Sequence, residues 1–209
     1  MNASEVLNMI FKQLTVPPIG TNCYIFGDAA SERCAIVDPG GDAAGILAAV
    51  QELGLTVSAI FLTHGHYDHV GALPELRRAL PGVPVYLHPA DKAARDGSLL
   101  PDPGPTEDYV DGDRVLVGGL TVEVIHTPGH TPGGVCLKVG DTLFTGDTLF
   151  RGSMGRTDLP GGSYDQIMGS LRRLAALPGD YMVCPGHDAP STLEAERKGN
   201  YYMREAAGQ

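Results

Sequence analysis

Three imidazoles and one carboxylate stand within six consecutive residues of this chain, in the segment Thr63–His69 with the sequence THGHYDH. The segment follows the apolar run Val57–Leu62, which predicts a buried strand, and precedes Val70–Leu73, which predicts the start of a helix. Neutral imidazole nitrogens and carboxylates are ligands that hold zinc, iron or manganese. The segment therefore predicts a metal site on a turn at the carboxyl end of a strand, where ligands collect in layered α/β folds.

Three further candidate ligands follow other predicted strands. His130 comes after the strand Leu120–Ile125, Asp147 comes after a predicted hairpin, and His187 comes after the strand Tyr181–Cys184. Each of them alone is explained equally well as a turn or loop residue, but together they surround one focus. We therefore predict seven ligands for two divalent ions: His64, His66 and His130 at the first, Asp68, His69 and His187 at the second, and Asp147 bridging both.

The conformation of the central segment decides how its side chains divide between the ions. In an extended turn, His64, His66 and Asp68 project to one side, and His69 projects toward a neighbouring point. Two ions about 3.5–4 Å apart hold a shared hydroxide and clamp a reacting oxygen. Asp68, which can orient that hydroxide, and Asp147, which bridges the ions, are therefore the predicted catalytic residues.

Asp38 is a candidate supporting residue, because it ends a strand in the same way as the ligands. Its carboxylate could accept the second ring N–H of a ligand histidine. The alternative is that Asp38 only starts the turn Asp38–Gly41. We interpret the two remaining histidines, His88 and His126, as structural, with His126 also a candidate to support the turn that carries His130.

The elements that must position these residues alternate between strands and helices along the whole chain. Asp42, Ser163 and Ser191 are predicted helix N-caps, and Asp96–Asp113 is predicted to be a surface loop and a candidate lid. Two strand-rich halves, each followed by helices, predict a single α/β domain over residues 1–209 with two sheets packed face to face. The predicted strands are Val6–Val16, Asn22–Phe26, Arg33–Val37, Val57–Leu62, Val83–Leu87, Arg114–Val117, Leu120–Ile125, Val135–Val139, Thr142–Thr145 and Tyr181–Cys184.

Composition narrows the classes of function. The net charge of −10 argues against nucleic acid as a partner, because phosphate contact needs a basic surface. The sequence contains no apolar run long enough to span a membrane and no basic leader at its start, so we expect a cytoplasmic protein. The four widely spaced cysteines are interpreted as core residues in a reducing compartment, with a disulfide or a thiolate metal site as the alternative. Oligomeric state is not predicted.

The string THGHYDH, followed in order by His130, Asp147 and His187, resembles the metallo-β-lactamase superfamily over nearly the whole chain. The resemblance implies a four-layer αββα sandwich with the metals at one edge, between the sheets. True lactamases carry a cysteine where this chain has Asp147, which disfavours antibiotic hydrolysis. Redox di-iron flavoproteins carry a glutamate where this chain has His66, which disfavours their chemistry.

The segment Gly146–Gly162 is similar to the glyoxalase II-like hydrolases, above all to their short bacterial group. This similarity implies hydrolysis of a small-molecule thioester such as S-lactoylglutathione, by attack of a metal-bridging hydroxide. Arg156 falls where the family has a lysine that contacts glutathione, so Arg156 and Arg151 are the predicted substrate-binding residues; the alternative is that both are solvated loop arginines. The chain departs from the family at Ala189, where a tyrosine is expected, and we expect no separate C-terminal glutathione-binding helical domain.

Three other functions fit the same ligands. His64, His130 and Asp147 alone would form the two-histidine, one-carboxylate triad of a mononuclear iron persulfide dioxygenase. A lactonase or other ester hydrolase would use the full two-metal centre, and a metal-containing binding domain would use it without turnover. Zinc is the first expectation for the metal, with iron and manganese as alternatives.

Overall fold

Two six-stranded sheets form the centre of the protein, whose computed structural model describes residues 9–95 and 97–208. The strands in chain order are β1 (Met9–Val16), β2 (Thr21–Asp28), β3 (Arg33–Val37), β4 (Thr56–Phe61), β5 (Val85–Leu87), β6 (Glu107–Asp108), β7 (Arg114–Val117), β8 (Leu120–His126), β9 (Val135–Val139), β10 (Thr142–Gly146), β11 (Leu149–Phe150), β12 (Ser153–Met154), β13 (Met182–Pro185) and β14 (Ser191–Thr192). The first sheet has the order β1-β2-β3-β4-β5-β6, and the second has the order β14-β13-β10-β9-β8-β7. β11 and β12 pair in a separate hairpin.

Helices cover the outer face of each sheet. They are α1 (Ala43–Glu52), α2 (Tyr67–Val70), α3 (Leu73–Ala79), α4 (Pro89–Ala93), α5 (Tyr164–Ala175), α6 (Leu193–Gly199) and α7 (Tyr201–Ala206). Side chains of α1 and α3 pack on the first sheet, and side chains of α5 and α7 pack on the second. A third apolar cluster, which includes Phe26, Phe61 and Phe144, lies between the sheets. The predicted αββα sandwich is confirmed.

Strand direction explains why the predicted ligands gather at one edge. β3 and β4 are parallel in the first sheet, and β10 and β13 are parallel in the second. β8 and β10 are both antiparallel to β9, so they also run the same way. The loops after these strands carry Asp38, Thr63–His69, His130, Asp147 and His187. A parallel arrangement therefore delivers each of these residues to the same end of its sheet.

The predicted helix caps are partly confirmed. Asp42 caps α1 by accepting from the backbone N–H of Gly45, and Ser163 caps α5 by accepting from that of Gln166. The prediction that Ser191 caps a helix is wrong: Ser191 pairs with Val183 in the second sheet, and Thr192 is the cap of α6. The helix begins at Leu193, so Thr192 is the residue directly before it, and the Thr192 hydroxyl accepts from the Ala195 backbone N–H at 3.2 Å.

Two further predicted segments are described only in part. The strand predicted over Val6–Val16 is β1 from Met9 onward, and its first three predicted residues lie outside the described part of the chain. The predicted loop Asp96–Asp113, of which Asp96 also lies outside that part, contains β6 and the buried Tyr109. The Tyr109 hydroxyl donates to the Leu62 carbonyl, so this stretch is anchored to the end of β4.

All four cysteines are buried and unpaired, as expected for core residues. Burial raises the pKa of the Cys136 and Cys184 thiols to about 12, which disfavours a thiolate metal site. Across residues 9–95 and 97–208 the structure contains no helix with the length and apolar character needed to cross a membrane.

Candidate metal centre

Three buried imidazoles converge on one point. His66 Nδ1 lies 3.0 Å from His64 Nε2 and 2.9 Å from His130 Nε2. Burial and the neighbouring imidazoles hold the pKa of His64 well below its ordinary value and lower that of His66 to about 4. Nitrogen atoms of the three rings therefore face one another at a distance that suits a shared cation. We call His64, His66 and His130 the three-histidine group.

Hydrogen bonds at the Nδ1 atoms of His130 and His64 show that the Nε2 atoms of these rings face the centre. His130 Nδ1 donates to the Arg156 carbonyl at 2.8 Å, and a carbonyl can only accept, so the Nε2 lone pair faces the site. His64 Nδ1 lies 3.2 Å from the Thr63 hydroxyl, which itself donates to Asp38 Oδ2 at 2.6 Å. A second layer of hydrogen bonds of this kind orients metal-ligand histidines.

A second group combines one carboxylate with two imidazoles. Asp68 Oδ2 lies 3.3 Å from His69 Nε2 and 3.2 Å from His187 Nε2. Burial opposes ionisation of Asp68, but the neighbouring His187 and His69 imidazoles outweigh it and hold the pKa of its carboxyl far below the usual range. Burial likewise opposes a charge on His69, but Asp147 and Asp38 outweigh it and raise the His69 pKa well above normal. We call Asp68, His69 and His187 the carboxylate group.

Asp147 connects the two groups. Its Oδ1 lies 3.4 Å from His69 Nε2, and its Oδ2 lies 3.4 Å from His130 Nε2 and 3.6 Å from His187 Nε2. Asp147 Oδ1 and His69 Nε2 are buried without a hydrogen-bond partner. Such orphaned polar atoms are costly in a folded protein unless a bound ion engages them. The donor set therefore fits divalent ions, and Asp147 lies between the two groups; its role as a bridging ligand stays a prediction.

Asp38 lies behind both groups. Its residue conformation is left-handed (φ 51°), and its buried carboxylate accepts from the Thr63 backbone N–H at 2.7 Å. Its Oδ2 also lies 3.0 Å from His69 Nδ1. Asp38 thus contacts His69 directly and reaches His64 through Thr63, so it forms the predicted turn and also faces a candidate ligand.

The predicted extended conformation of the ligand segment is wrong after His66. His66 is the N-cap of α2, and the His69 backbone N–H donates to the His66 carbonyl at 2.9 Å. In an extended chain alternate residues share a side, but this helical turn rotates Asp68 toward His187 and away from the three-histidine group. Close packing of α2 explains the turn: a Cβ at Gly40 would meet the Asp68 carbonyl oxygen at 1.6 Å.

Sequence reasoning missed Asp91, a fully buried carboxylate that joins the loops of the three-histidine group. It accepts from the backbone N–H groups of Gly65 and Gly133 at 2.8 and 2.6 Å, and from the Thr131 hydroxyl at 3.0 Å. Gly65 lies between two candidate ligands and Thr131 follows a third. Burial raises the pKa of Asp91 although these donors oppose the rise. Its sequence context resembles an ordinary helix start, so only its burial reveals it.

The other two histidines lie apart from the centre, as predicted. His88 and His126 stack with ring centroids 4.3 Å apart and an interplanar angle of 5°. His88 Nδ1 accepts from the Ala90 backbone N–H, so His88 is the N-cap of α4. His126 Nε2 donates to the Pro132 carbonyl at 3.0 Å, in the loop that carries His130. His126 therefore contacts the turn that it was a candidate to support.

A cavity of about 470 Å³ opens above the candidate ligands. Arg156 lies in its lining, and its guanidinium donates to both carboxylate oxygens of Asp158, at 2.7 Å each. Arg151 is exposed at the turn of the β11–β12 hairpin and lies outside that lining. The structure therefore places only one of the two candidate substrate-binding arginines at the cavity.

Known proteins share this fold and much of this sequence. Residues 16–187 match the family model of the metallo-beta-lactamase superfamily. The chain is 36% identical to the probable metallo-hydrolase YqgX of Bacillus subtilis, covering 93% of this chain and 98% of that protein. It is 34% identical to the hydroxyacylglutathione hydrolase GloC of Haemophilus influenzae, covering 87% of this chain and 92% of that protein.

Three solved structures resemble the whole chain. TTHA1623 in a di-iron-bound form has a TM-score of 0.78 at 40% identity, covering 91% of this chain and 99% of that one. The B3 metallo-beta-lactamase BLEG-1 has a TM-score of 0.84 at 33% identity, covering 93% and 99%. ETHE1 from Myxococcus xanthus has a TM-score of 0.80 at 32% identity, covering 96% and 85%.

Proposed function

We propose that this chain, which belongs to the metallo-β-lactamase superfamily, is a metal-dependent hydrolase that cleaves thioesters, with S-lactoylglutathione as the reference substrate. The observation that carries the proposal is the arrangement of two ligand groups that share Asp147 on the floor of a cavity. The 34% identity to GloC supports the reaction class. The acidic net charge supports a small-molecule substrate rather than nucleic acid, and the unpaired thiols support a cytoplasmic setting.

We assign two divalent ions to the site, with zinc as the first expectation. Histidine and carboxylate ligands suit zinc, iron and manganese alike, and the di-iron form of TTHA1623 makes iron the main competitor. Metal analysis of protein purified without added metal decides between them. The proposed ligands are His64, His66 and His130 for one ion, Asp68, His69 and His187 for the other, and Asp147 for both.

Divalent ions at such a site lower the pKa of water toward neutrality and polarise a carbonyl oxygen. Asp68 stays ionised at neutral pH, so its carboxylate can bind as a ligand and accept a hydrogen bond from water. The Thr21 hydroxyl donates to Asp68 Oδ2 at 2.8 Å and restricts its orientation. A thiolate leaves without a strong general acid, which suits a cavity whose lining beyond the ligands is mostly apolar.

The test is release of thiol from S-D-lactoylglutathione by the purified, metal-loaded protein. We expect turnover that Asp147→Ala lowers by at least about 100-fold, because this substitution removes the group shared by both ligand sets. Asp165→Ala, an exposed aspartate in the first turn of α5, is the matched control and should keep wild-type activity. Wild-type protein that binds two ions and releases no thiol would refute the thioesterase.

A persulfide dioxygenase is the second candidate, supported by the similarity to ETHE1 over 96% of this chain. Oxygen uptake by iron-loaded protein with glutathione persulfide separates the two functions, because hydrolysis consumes no oxygen. The similarity to BLEG-1 adds a β-lactam to the substrate panel, and a lactone covers the ester-hydrolase alternative. Retained metal without turnover of any of these compounds would favour a binding domain.

A further inference from the structure

We infer that the cavity above the metal centre binds an apolar acyl group of about six to eight carbons, so that thioesters of medium-chain or aromatic acids are the preferred substrates. The inference rests on the proposed thioester hydrolysis and adds its substrate class. It depends on the walls of the cavity, on the segment that holds one wall in place, and on the charge at its mouth.

Large apolar side chains line the cavity around the ligands. Phe150 and Met154 extend from the β11–β12 hairpin, and Ile19, Tyr67 and Leu99 come from the first half of the chain. Ile19 is 57% exposed and Tyr67 is 38% exposed, so both present apolar surface at the cavity. Exposed apolar groups that surround a concave site mark a surface that binds an apolar ligand.

The C-terminal helices hold the Phe150 wall in place. The fully buried Asn200 side chain donates to the Phe150 and Ser153 carbonyls at 3.3 and 2.9 Å. The buried Glu196 carboxylate accepts from the Gly152 backbone N–H at 2.8 Å and from Asn200 Nδ2 at 2.9 Å. The wall is therefore preorganised, and an acyl group that packs against it does not have to order the hairpin first.

The lining of the cavity offers few cationic side chains to an anionic group. Among the described lining residues Arg156 is the single Lys or Arg side chain, and Asp158 already binds its guanidinium through two hydrogen bonds. A carboxylate of a peptide thiol would have to displace Asp158 from Arg156 or lose its water in a lining that is mostly apolar beyond the ligands, which costs desolvation energy. We therefore place the acyl group in the cavity and a charged thiol carrier outside it.

The size of the cavity agrees with this placement. Its volume of about 470 Å³ lies within the range of pockets that bury drug-sized ligands, roughly 300–1,000 Å³. A three-carbon hydroxyacyl group would leave most of the apolar wall exposed to water. A longer acyl chain removes that surface from water, which favours its binding.

The experiment measures kcat/KM for acetyl, butanoyl, hexanoyl and octanoyl thioesters of N-acetylcysteamine, an uncharged carrier, with the lactoyl thioester alongside. Each buried methylene is worth about fourfold in binding, so we expect kcat/KM to rise at least about 10-fold from acetyl to hexanoyl. Equal values across the series would overturn the inference while the thioesterase stands. No thiol release from any member, by protein shown to hold its metals, would overturn both.

Variants locate the effect. Phe150→Ala and Met154→Ala should each reduce the hexanoyl-to-acetyl ratio of kcat/KM by about 5- to 10-fold, because each removes part of one wall. Leu116→Ala, which truncates a 69% exposed leucine on β7, is the control and should leave the ratio unchanged. Two wall variants are used so that the test still stands if one of them does not fold. An unchanged ratio in a folded wall variant would overturn the assignment of the acyl site.

Discussion

The two ligand groups differ in charge and in exposure. The three-histidine group consists of buried imidazole rings, and His66 Nδ1 lies 3.0 Å from His64 Nε2 and 2.9 Å from His130 Nε2. The carboxylate group contains Asp68, and the His187 side chain in it is 22% exposed at the cavity. The hydrogen bond to Asp68 raises the His187 pKa, whereas burial lowers the pKa of His64. Two adjacent ions would therefore bind in unlike environments, the first among imidazoles and the second beside the Asp68 carboxylate.

The largest effect should come from removing one ligand of each group. We expect His66→Ala and His187→Ala each to lower the metal content from two ions to about one and to reduce kcat/KM by at least about 100-fold. The remaining ion should differ between the variants, because one keeps the carboxylate group and the other keeps the three-histidine group. Metal analysis and the absorption spectrum of the cobalt-substituted proteins would show this. Identical spectra would contradict two separate groups.

Asp38→Asn should weaken metal binding at both groups at once, because Asp38 contacts His69 and reaches His64 through Thr63. We expect the affinity for both ions to fall by about 10- to 100-fold, the range for lost support of a ligand histidine. Competition with a chelator measures the two affinities. A loss confined to one group would show that one of these two contacts is dispensable.

Asp91→Asn should act on the three-histidine group alone. Backbone N–H groups of Gly65 and Gly133 now donate to the two carboxylate oxygens of Asp91. The amide of asparagine would present its own N–H group to one of these donors, so the loops around His66 and His130 lose their shared anchor. We expect an affinity loss of about 10-fold at that group and little change at the other. Cobalt spectra assign the loss, and an equal loss at both groups would mean a general effect on folding.

Thr21→Val should have the smallest effect, and it tests the carboxylate group as Asp91→Asn tests the three-histidine group. It removes the hydroxyl that donates to Asp68 and keeps the side-chain shape. A net hydrogen bond of about 1 kcal/mol corresponds to roughly a fivefold loss of affinity at the carboxylate group. Isothermal titration with zinc measures it. Weaker binding at the three-histidine group instead would contradict the division between the groups.

Local patterns explain which predictions were confirmed. The strands and the Asp42 cap depend on neighbouring residues, so hydrophobic periodicity and cap chemistry revealed them. The cap at Thr192 was missed because Ser191 and Thr192 are adjacent hydroxyl residues with the same capping chemistry, and the exact start of α6 decides between them. The helical turn at Asp68 was missed because it depends on packing against Gly40, twenty-eight residues earlier in the chain.

The sequence by itself determined the types of the candidate ligands and their places after strands, since both are properties of short segments. It also determined the family and the αββα class, because the ligand string and the element order extend over most of the chain. Only the tertiary structure decided that Asp147 lies between the two groups, that buried Asp91 joins two loops, and that Asp158 binds Arg156. The first two depend on distances across two packed sheets, and the third depends on a side-chain conformation, none of which residue order specifies locally.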